Sequence, residues 1–466
     1  MKQVSIEKIA EEVSGHIVNQ ELLREDINWK YNNISIDSRT IAENDIFIPI
    51  KGDNFDGHNF ISMAYEKGAM ICFTEDKSRI PSNQIGILVS DTKKALKDFA
   101  KYYLSLFKIP IVAVTGSVGK TSCKEMIGSI LSVKYDVHKT IGNFNNEIGL
   151  PLTIFKLEDR HEVVVLEMGM NHYGELHRLS EIARPDIAVI TNIGEAHIEY
   201  FGTKNNILKA KSEILDFLKK DGLVILNGDD PYLRKLKENI PFNTLTFGFN
   251  DDNDYYISDY KELGWDGLIG KITGTHEEYN IKIHTLGKHM LYNIIPGIII
   301  GNHLNMTANE IEQGAYSYKP SKMRMDRIEL NDNIVVINDA YNASVDSMIS
   351  ALDTLSTLDT QGRKVAVLGD MFELGDMSKD THTRIGKVAA TKNIDFIICV
   401  GKDSKYIYEG AMSNGIDKNK ISYYKTKEEL IDDIDELVKA KDTIIIKASR
   451  GMHLEKVIER LQSIFK

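Results

Sequence analysis

The chain has 466 residues, 42% of them hydrophobic and 27% charged, and a formal net charge of -11 at pH 7. This length accommodates about three domains of roughly 150 residues, and the acidic balance excludes a general nucleic-acid binder, which needs a basic face. Three cysteines without metal-like spacing, no apolar leader in MKQVSIEKIAEEVSG and no apolar run of membrane length give the expectation of a cytoplasmic protein with no membrane span.

Residues 1–106 read as an N-terminal domain of mixed α/β character, less regular than the rest, with NISIDSRTIAENDIFIPIKGDNFDGHNF alternating between strands and loops. From Val112 the pattern becomes strand, turn, helix. IPIVAVTG, EVVVLEMG, DIAVITNIG and GLVILNGDD are β-branched runs that each end in Gly, Asn or Asp. Such runs separated by helical stretches predict βαβ units and a parallel sheet, here a central domain over residues 107–318. A second series, NIVVINDAYN, KVAVLGDMFELG, DFIICVGKD and DTIIIKASRG, predicts a Rossmann-like C-terminal domain over 319–466. The fold class is therefore α/β in three domains.

The stretch AVTGSVGKTSCKEM carries the clearest chemistry. It follows a predicted strand and precedes a helix with apolar residues at Met126, Ile127, Ile130 and Leu131. That is the setting of a phosphate-binding loop, in which backbone N–H groups and a helix N-terminus face phosphate oxygens. Gly116, Ser117, Val118 and Gly119 would supply the loop, Lys120 would reach the β- and γ-phosphates, and the Thr121 hydroxyl would ligate Mg²⁺ ahead of Ser122. The pattern is shifted, since Val114 stands where the common form has its first glycine.

Further polar residues close the next strands. Glu167 ends VVVLE and His197 ends TNIGEAH; a carboxylate and an imidazole at the carboxyl edge of one sheet can share magnesium with a nucleotide. Each also has an ordinary alternative, a helix-capping glutamate or a histidine satisfied by backbone. In NNILKAKSEILDFLKK, helical spacing aligns Ile207, Ile214, Leu215 and Leu218, and Lys211 falls inside that apolar stripe while Lys209 points away. A lysine there either snorkels or finds a carboxylate, or it is neutral and chemically modifiable.

TGSVGKTS, GNFNNEIGLPLT, LEMGMN, TNIGEAH, KAKSEI, GKHMLYN, INDAYNAS, LGDMFELG and KASRGM together resemble the Mur ligases, ATP-dependent amide-forming enzymes of peptidoglycan assembly. In that family the loop has the form T-G-x-x-G-K-[TS], so Gly116 is in its expected place. LGDMFELG and KASRGM look most like the last ligase of the series, which joins D-alanyl-D-alanine to UDP-N-acetylmuramoyl-tripeptide. The D-N-P-R motif of the diaminopimelate-adding ligase is absent, as is the N-K-x-D motif of a guanine-nucleotide switch. Two departures stand out: Ser344-Val345 where the family shows Asn-Pro, and Ala448 where glycine is usual.

The resemblance implies the remaining roles. Residues 1–106 would bind the UDP-substrate, 107–318 ATP, and 319–466 would close over the nucleotide. Lys120, Lys211 and His197 would be the catalytic residues; Thr121, Glu167, His197 and a carbamoylated Lys211 would hold Mg²⁺. His289 and Asn293 would contact the adenine region, with Arg324 and Asp339 closing over ATP. Ser38, Asp56, Gly57 and His58 would hold the uridine-diphosphate end, for which ordinary turn chemistry is the alternative. Asn145 and Asn146 would lie toward the muramoyl-peptide. The expected protein is a monomer whose partners are these small molecules.

Overall fold

The computed structural model describes residues 1–23, 29–52 and 54–466. By compactness the chain divides into two units, Met1–Ala113 with Tyr135–Ala188 and Glu213–Gly222, and Val114–Lys134 with Val189–Ser212 and Leu223–Lys466.

In the first unit, β1 (His16–Val18), β2 (Ile34–Ser35), β3 (Ile46–Phe47), β4 (Ile71–Thr74) and β5 (Ile85–Leu88) form a sheet in the order β1-β5-β4-β3-β2. Only β1 runs antiparallel to its neighbour. Strands of two to four residues are too short to show an alternation, which is why this region reads as irregular. Phe47, Ile61, Ala64 and Cys72 form its core. The helix Thr92–Ser105 starts at Asp91, whose Oδ1 accepts the Lys94 N–H at 3.0 Å. The same unit holds β7 (Val137–Lys139), β8 (Val163–Glu167) and the first residues of β6 (Ile111–Thr115) and β9 (Ile187–Ile190), in the order β9-β6-β8-β7. The chain fills one side of β6 before crossing to the other. That is a topological switch point, and ligands bind at the carboxyl ends of strands there.

In the second unit, the last residues of β6 and β9 stay paired, with Thr191 N–H on Thr115 O at 3.0 Å. Beyond them lie β10 (Leu223–Asn227), β11 (Asn243–Gly248), β12 (Tyr255–Glu262), β13 (Leu268–Thr273) and β14 (Glu278–Ile283), in that order. β10, β11 and β12 are parallel, as the β-branched runs predict, but β12, β13 and β14 make an antiparallel meander. This extension was not predicted; β12 has a largely exposed C-terminal half, so no buried run announces it.

The C-terminal part of this unit contains β15 (Asp326–Glu329), β16 (Val335–Asn338), β17 (Lys364–Gly369), β18 (Phe396–Val400), β19 (Ile421–Tyr424) and β20 (Thr443–Lys447). Their order is β15-β16-β20-β17-β18-β19, parallel except for β15. Val336, Val365, Val367, Ile444 and Ile446 fill the core, each burial contributing about 1.5–3 kcal/mol before entropy is counted. Ala448 faces Gly369, whose missing Cβ would stand 2.6 Å from the alanine methyl. The departure at 448 is therefore accommodated by a glycine opposite. Ser344 and Val345 likewise fit, as the N-cap and first residue of the helix Val345–Thr357.

One predicted helix is shorter than expected. It runs Lys204–Ser212 and gives way to a 3₁₀ turn at Glu213–Leu215. Within the first unit, the Ile214 carbonyl takes the Ser180 hydroxyl at 2.8 Å and the Glu213 carboxylate accepts Gly174 N–H at 2.9 Å. These partners satisfy the turn's polar groups outside a helix. The apolar stripe survives, since Ile207, Ile214, Leu215 and Leu218 are all buried. Among the described residues no helix is long and apolar enough to cross a membrane.

Candidate nucleotide and metal site

The loop Gly116–Ser122 follows β6 and opens the helix Lys120–Leu131. Its shifted pattern has a steric cause. Gly116 has φ 150° and a Cβ on it would meet Thr191 Oγ1 at 1.9 Å; Gly119 has φ 84° and its Cβ would meet Asn293 Oδ1 at 2.5 Å. Both positions need glycine, whereas Val114 lies inside β6, fully buried, where a side chain is wanted. Thr191 and Asn192 clamp the loop: Asn192 Oδ1 accepts Val118 N–H at 2.9 Å, and Val118 O accepts the Thr191 hydroxyl at 2.6 Å. Neither residue was singled out in the sequence. Lys120 Nζ folds back to donate to Gly116 O at 2.7 Å. The Ser117 hydroxyl is buried with no hydrogen-bond partner among the described residues, an orphan donor in this loop.

Next to the clamp, Ile193 N–H donates to Asp230 Oδ2 at 2.7 Å, fixing the start of TNIGEAH. Glu195 pairs with Arg384 at 2.7 Å. His197 takes a left-handed backbone conformation, φ 63°, and its Nδ1 stands 2.5 Å from Glu373 Oε2. Lys211 is 1% exposed, with no ion pair or hydrogen bond from its amine among the described residues. Burial, aided by the charge of Lys120, lowers its pKa well below the usual lysine range. Among the described residues the amine neither snorkels nor meets a carboxylate; the side chain is simply buried.

From the C-terminal sheet, Arg324 Nη2 donates to Thr121 Oγ1 at 3.0 Å while its guanidinium stacks on Tyr341, 4.3 Å from the ring centroid. Asp339 forms a buried ion pair with Lys447, which also donates to Asn342 O at 3.1 Å. Asn293 is buried against Gly119. Burial pushes the His289 imidazole down to about 4, so it is neutral at pH 7. Thus the structure brings Lys120, Thr121, Arg324 and Asn293 to one loop, with His197 and Glu373 as an adjacent pair.

The first unit holds the other candidates. Asp56 Oδ1 accepts both the N–H of His58 at 2.9 Å and its Nδ1 at 2.7 Å. Gly57 lies so near the Ile50 backbone that a Cβ would be 2.7 Å from its nitrogen. The far ring nitrogen of His58 is buried without a partner among the described residues. Ser38 is buried, its carbonyl accepting Lys67 Nζ at 3.0 Å. Glu167 closes β8, 2% exposed, with Oε1 accepting Asn145 Nδ2 at 2.8 Å. Asn146 Oδ1 accepts the N–H groups of Ile148 at 3.1 Å and Gly149 at 2.8 Å, just ahead of the helix Gly149–Ile154.

A glycine-dependent phosphate loop at the end of a central strand, with a second Rossmann-like sheet, defines an α/β phosphate-loop enzyme. Residues 30–104 match the Mur ligase family catalytic domain, 114–301 the Mur ligase middle domain, and 323–450 the Mur ligase glutamate ligase domain. The UDP-N-acetylmuramoyl-tripeptide–D-alanyl-D-alanine ligase of Bacillus subtilis is 38% identical over 458 residues, covering 98% of each chain. The enzyme of that name from Escherichia coli K12 is 31% identical, covering 96% of each. Among solved structures, MurF from Acinetobacter baumannii superposes with a TM-score of 0.91 at 27% identity over 99% of each chain. MurF from Thermotoga maritima in complex with ADP gives 0.82 at 30% identity, covering 94% of this chain and 98% of that one. The chain belongs to the Mur ligase family and has its three-domain α/β architecture.

Proposed function

We infer that this protein is an ATP-dependent amide ligase that adds D-alanyl-D-alanine to UDP-N-acetylmuramoyl-tripeptide in peptidoglycan synthesis. The observation that carries this reading is the match over 98% of the chain to the B. subtilis ligase of that name. The phosphate loop, whose glycines are sterically required, supports it.

A carboxylate is a poor electrophile, so amide formation needs an activated acyl group. The tripeptide's terminal carboxylate attacks the γ-phosphorus of ATP, the bond to the β,γ-bridging oxygen breaks, and an acyl phosphate and ADP result. The free amine of D-alanyl-D-alanine then attacks the acyl carbon, and phosphate leaves from the tetrahedral intermediate as the amine sheds its proton. The loop's N–H groups and Lys120 hold the phosphates, where positioning and electrostatics supply most of the rate. Arg324 and Asp339 close over the nucleotide, and His289 and Asn293 face its adenine region. Excluding water protects the acyl phosphate from hydrolysis.

Among the described residues no three His, Cys, Asp or Glu side chains form a metal cage. Magnesium would bind here as an ion shared with substrate phosphates, its usual habit in nucleotide enzymes. Thr121 and His197 would hold it with Glu167 and Lys211, the neutral amine of Lys211 having first taken up carbon dioxide to give a carbamate oxygen donor. When bound, magnesium would offset charge on the transferring phosphoryl group. Ser38, Asp56, Gly57 and His58 bind the uridine-diphosphate end, and Asn145 and Asn146 lie toward the muramoyl-peptide. The protein acts as a monomer in the cytoplasm, where its buried cysteines Cys72, Cys123 and Cys399 stay reduced.

The test offers purified protein ATP, UDP-N-acetylmuramoyl-tripeptide and one amine at a time. D-Alanyl-D-alanine should stimulate ADP release and yield the pentapeptide by mass; D-glutamate should do neither. Equal ADP release with and without the dipeptide, and no new amide, would end this reading.

A further inference from the structure

We propose that Glu373 is a positioning residue for His197: its carboxylate keeps the proton on Nδ1 and fixes the ring plane, leaving Nε2 as the free donor atom. This rests on the reading of His197 as a metal ligand. It extends that reading to a residue of LGDMFELG, a motif without an assigned role above.

Three observations carry it. The Nδ1 to Oε2 distance is 2.5 Å, with the carboxylate off the ideal N–H direction, so a small ring rotation completes the bond. Both partners adopt left-handed backbone, His197 at φ 63° and Glu373 at φ 60°. Glycine takes that conformation more easily than either, so two side chains held there and aimed at each other point to a use for the pair. The segments are also joined through backbone. Glu199 N–H donates to Glu373 O at 3.3 Å, and Gly375 allows the approach, since a Cβ on it would sit 3.2 Å from Glu199 Cγ.

The Glu373 loop is itself fixed from behind. Met371 N–H donates to His382 Nε2 at 2.9 Å, and His382 Nδ1 in turn donates to Ser378 O at 2.7 Å. Phe372 N–H donates to Ser449 Oγ at 2.8 Å. As a carboxylate Glu373 can only accept, so the imidazole nitrogen facing it at 2.5 Å is the one that carries the proton. A histidine ligand whose second nitrogen donates to a carboxylate is the arrangement by which proteins orient metal-binding imidazoles. Here the carboxylate comes from the 323–450 match and the imidazole from the 114–301 match. Seating the C-terminal domain thereby sets the ring.

Glu373→Gly keeps the left-handed backbone while removing the carboxylate, and Glu373→Gln keeps an accepting oxygen without charge. Long-range proton–nitrogen spectra of the histidine-labelled full chain, with His197→Asn identifying the signal, report the tautomer directly. The wild type and Glu373→Gln should show His197 protonated on Nδ1; Glu373→Gly should shift toward the Nε2 form that free imidazole prefers. Mn²⁺ titrated with ADP present should bind about tenfold more weakly to Glu373→Gly and nearly normally to Glu373→Gln. An unchanged tautomer and Mn²⁺ affinity in Glu373→Gly, with His197→Asn impaired, overturns the role of Glu373. Unchanged Mn²⁺ affinity in His197→Asn overturns instead the reading of His197 as a ligand.

Discussion

The phosphate loop and the turn Asp56–His58 are both short glycine-containing segments that hold ligand-seeking groups, yet they work differently. Around Gly116–Ser122 the proposed binding groups belong to the backbone, and side chains such as Thr191, Asn192 and Asn293 dictate its path. At Asp56–His58 the backbone is an ordinary 3₁₀ turn capped by Asp56, and the ligand-seeking atom is one buried imidazole nitrogen. A backbone cradle depends on steric permission, so glycine spacing betrays it in sequence. A side-chain site depends on what surrounds the atom, which a dipeptide such as Asp-Gly does not disclose.

Lys120→Ala strikes the cradle hardest. Its amine bonds to the Gly116 carbonyl, so ligation should fall about 10³-fold with little change in thermal unfolding; retained turnover would remove the loop from the mechanism. Lys211→Ala comes next, a loss of about 10²-fold. Short carboxylic acids should restore part of it by standing in for the carbamate, and no rescue at any concentration would count against carbamoylation. On the other side of the comparison, His58→Gln should raise KM for the UDP-tripeptide about tenfold, as expected for one lost hydrogen bond to a charged group. KM for ATP should stay put; parallel changes in both would blur the distinction between the two regions.

Acid sharpens the contrast through His289. Its folded pKa of about 4 lies below the ordinary 6.5, so as pH falls through that window the unfolded chain takes up the proton first and stability is lost. The shift corresponds to at most about 3–4 kcal/mol. Denaturant unfolding between pH 7 and 4 should show His289→Gln losing less stability than wild type; identical slopes would refute it. Asn146→Ala carries the smallest effect on stability, about 1 kcal/mol from the two backbone hydrogen bonds its Oδ1 accepts, and if those bonds are its whole role KM for the UDP-tripeptide stays unchanged. A raised KM would return Asn146 to the substrate.

Legibility followed the same division. The parallel strands β6, β8, β9, β10, β16, β17, β18 and β20 were visible as β-branched runs because each is buried on both faces. The meander β12–β14 was not, since exposed strands carry mixed residues. Lys211 stood out because charge on an apolar stripe is an anomaly at any helical position, though the helix itself ended sooner than its periodicity suggested. Asn146 was legible as a residue but its bonds to the Ile148 and Gly149 backbone were not, and Glu373 was legible only as a letter in a motif.

By itself the sequence determined the local chemistry: which segments extend, where glycine permits a phosphate cradle, and which lysine is buried. These depend on neighbours within a few residues or on one periodic face. Only the tertiary structure decided which distant groups meet: Thr191 under Gly116, Arg324 on Thr121, Glu373 on His197. Such pairings arise from strand order and loop paths, and the energy that selects them is spread over cores such as that of Val336, Val365 and Ile444 rather than written beside the residues they unite.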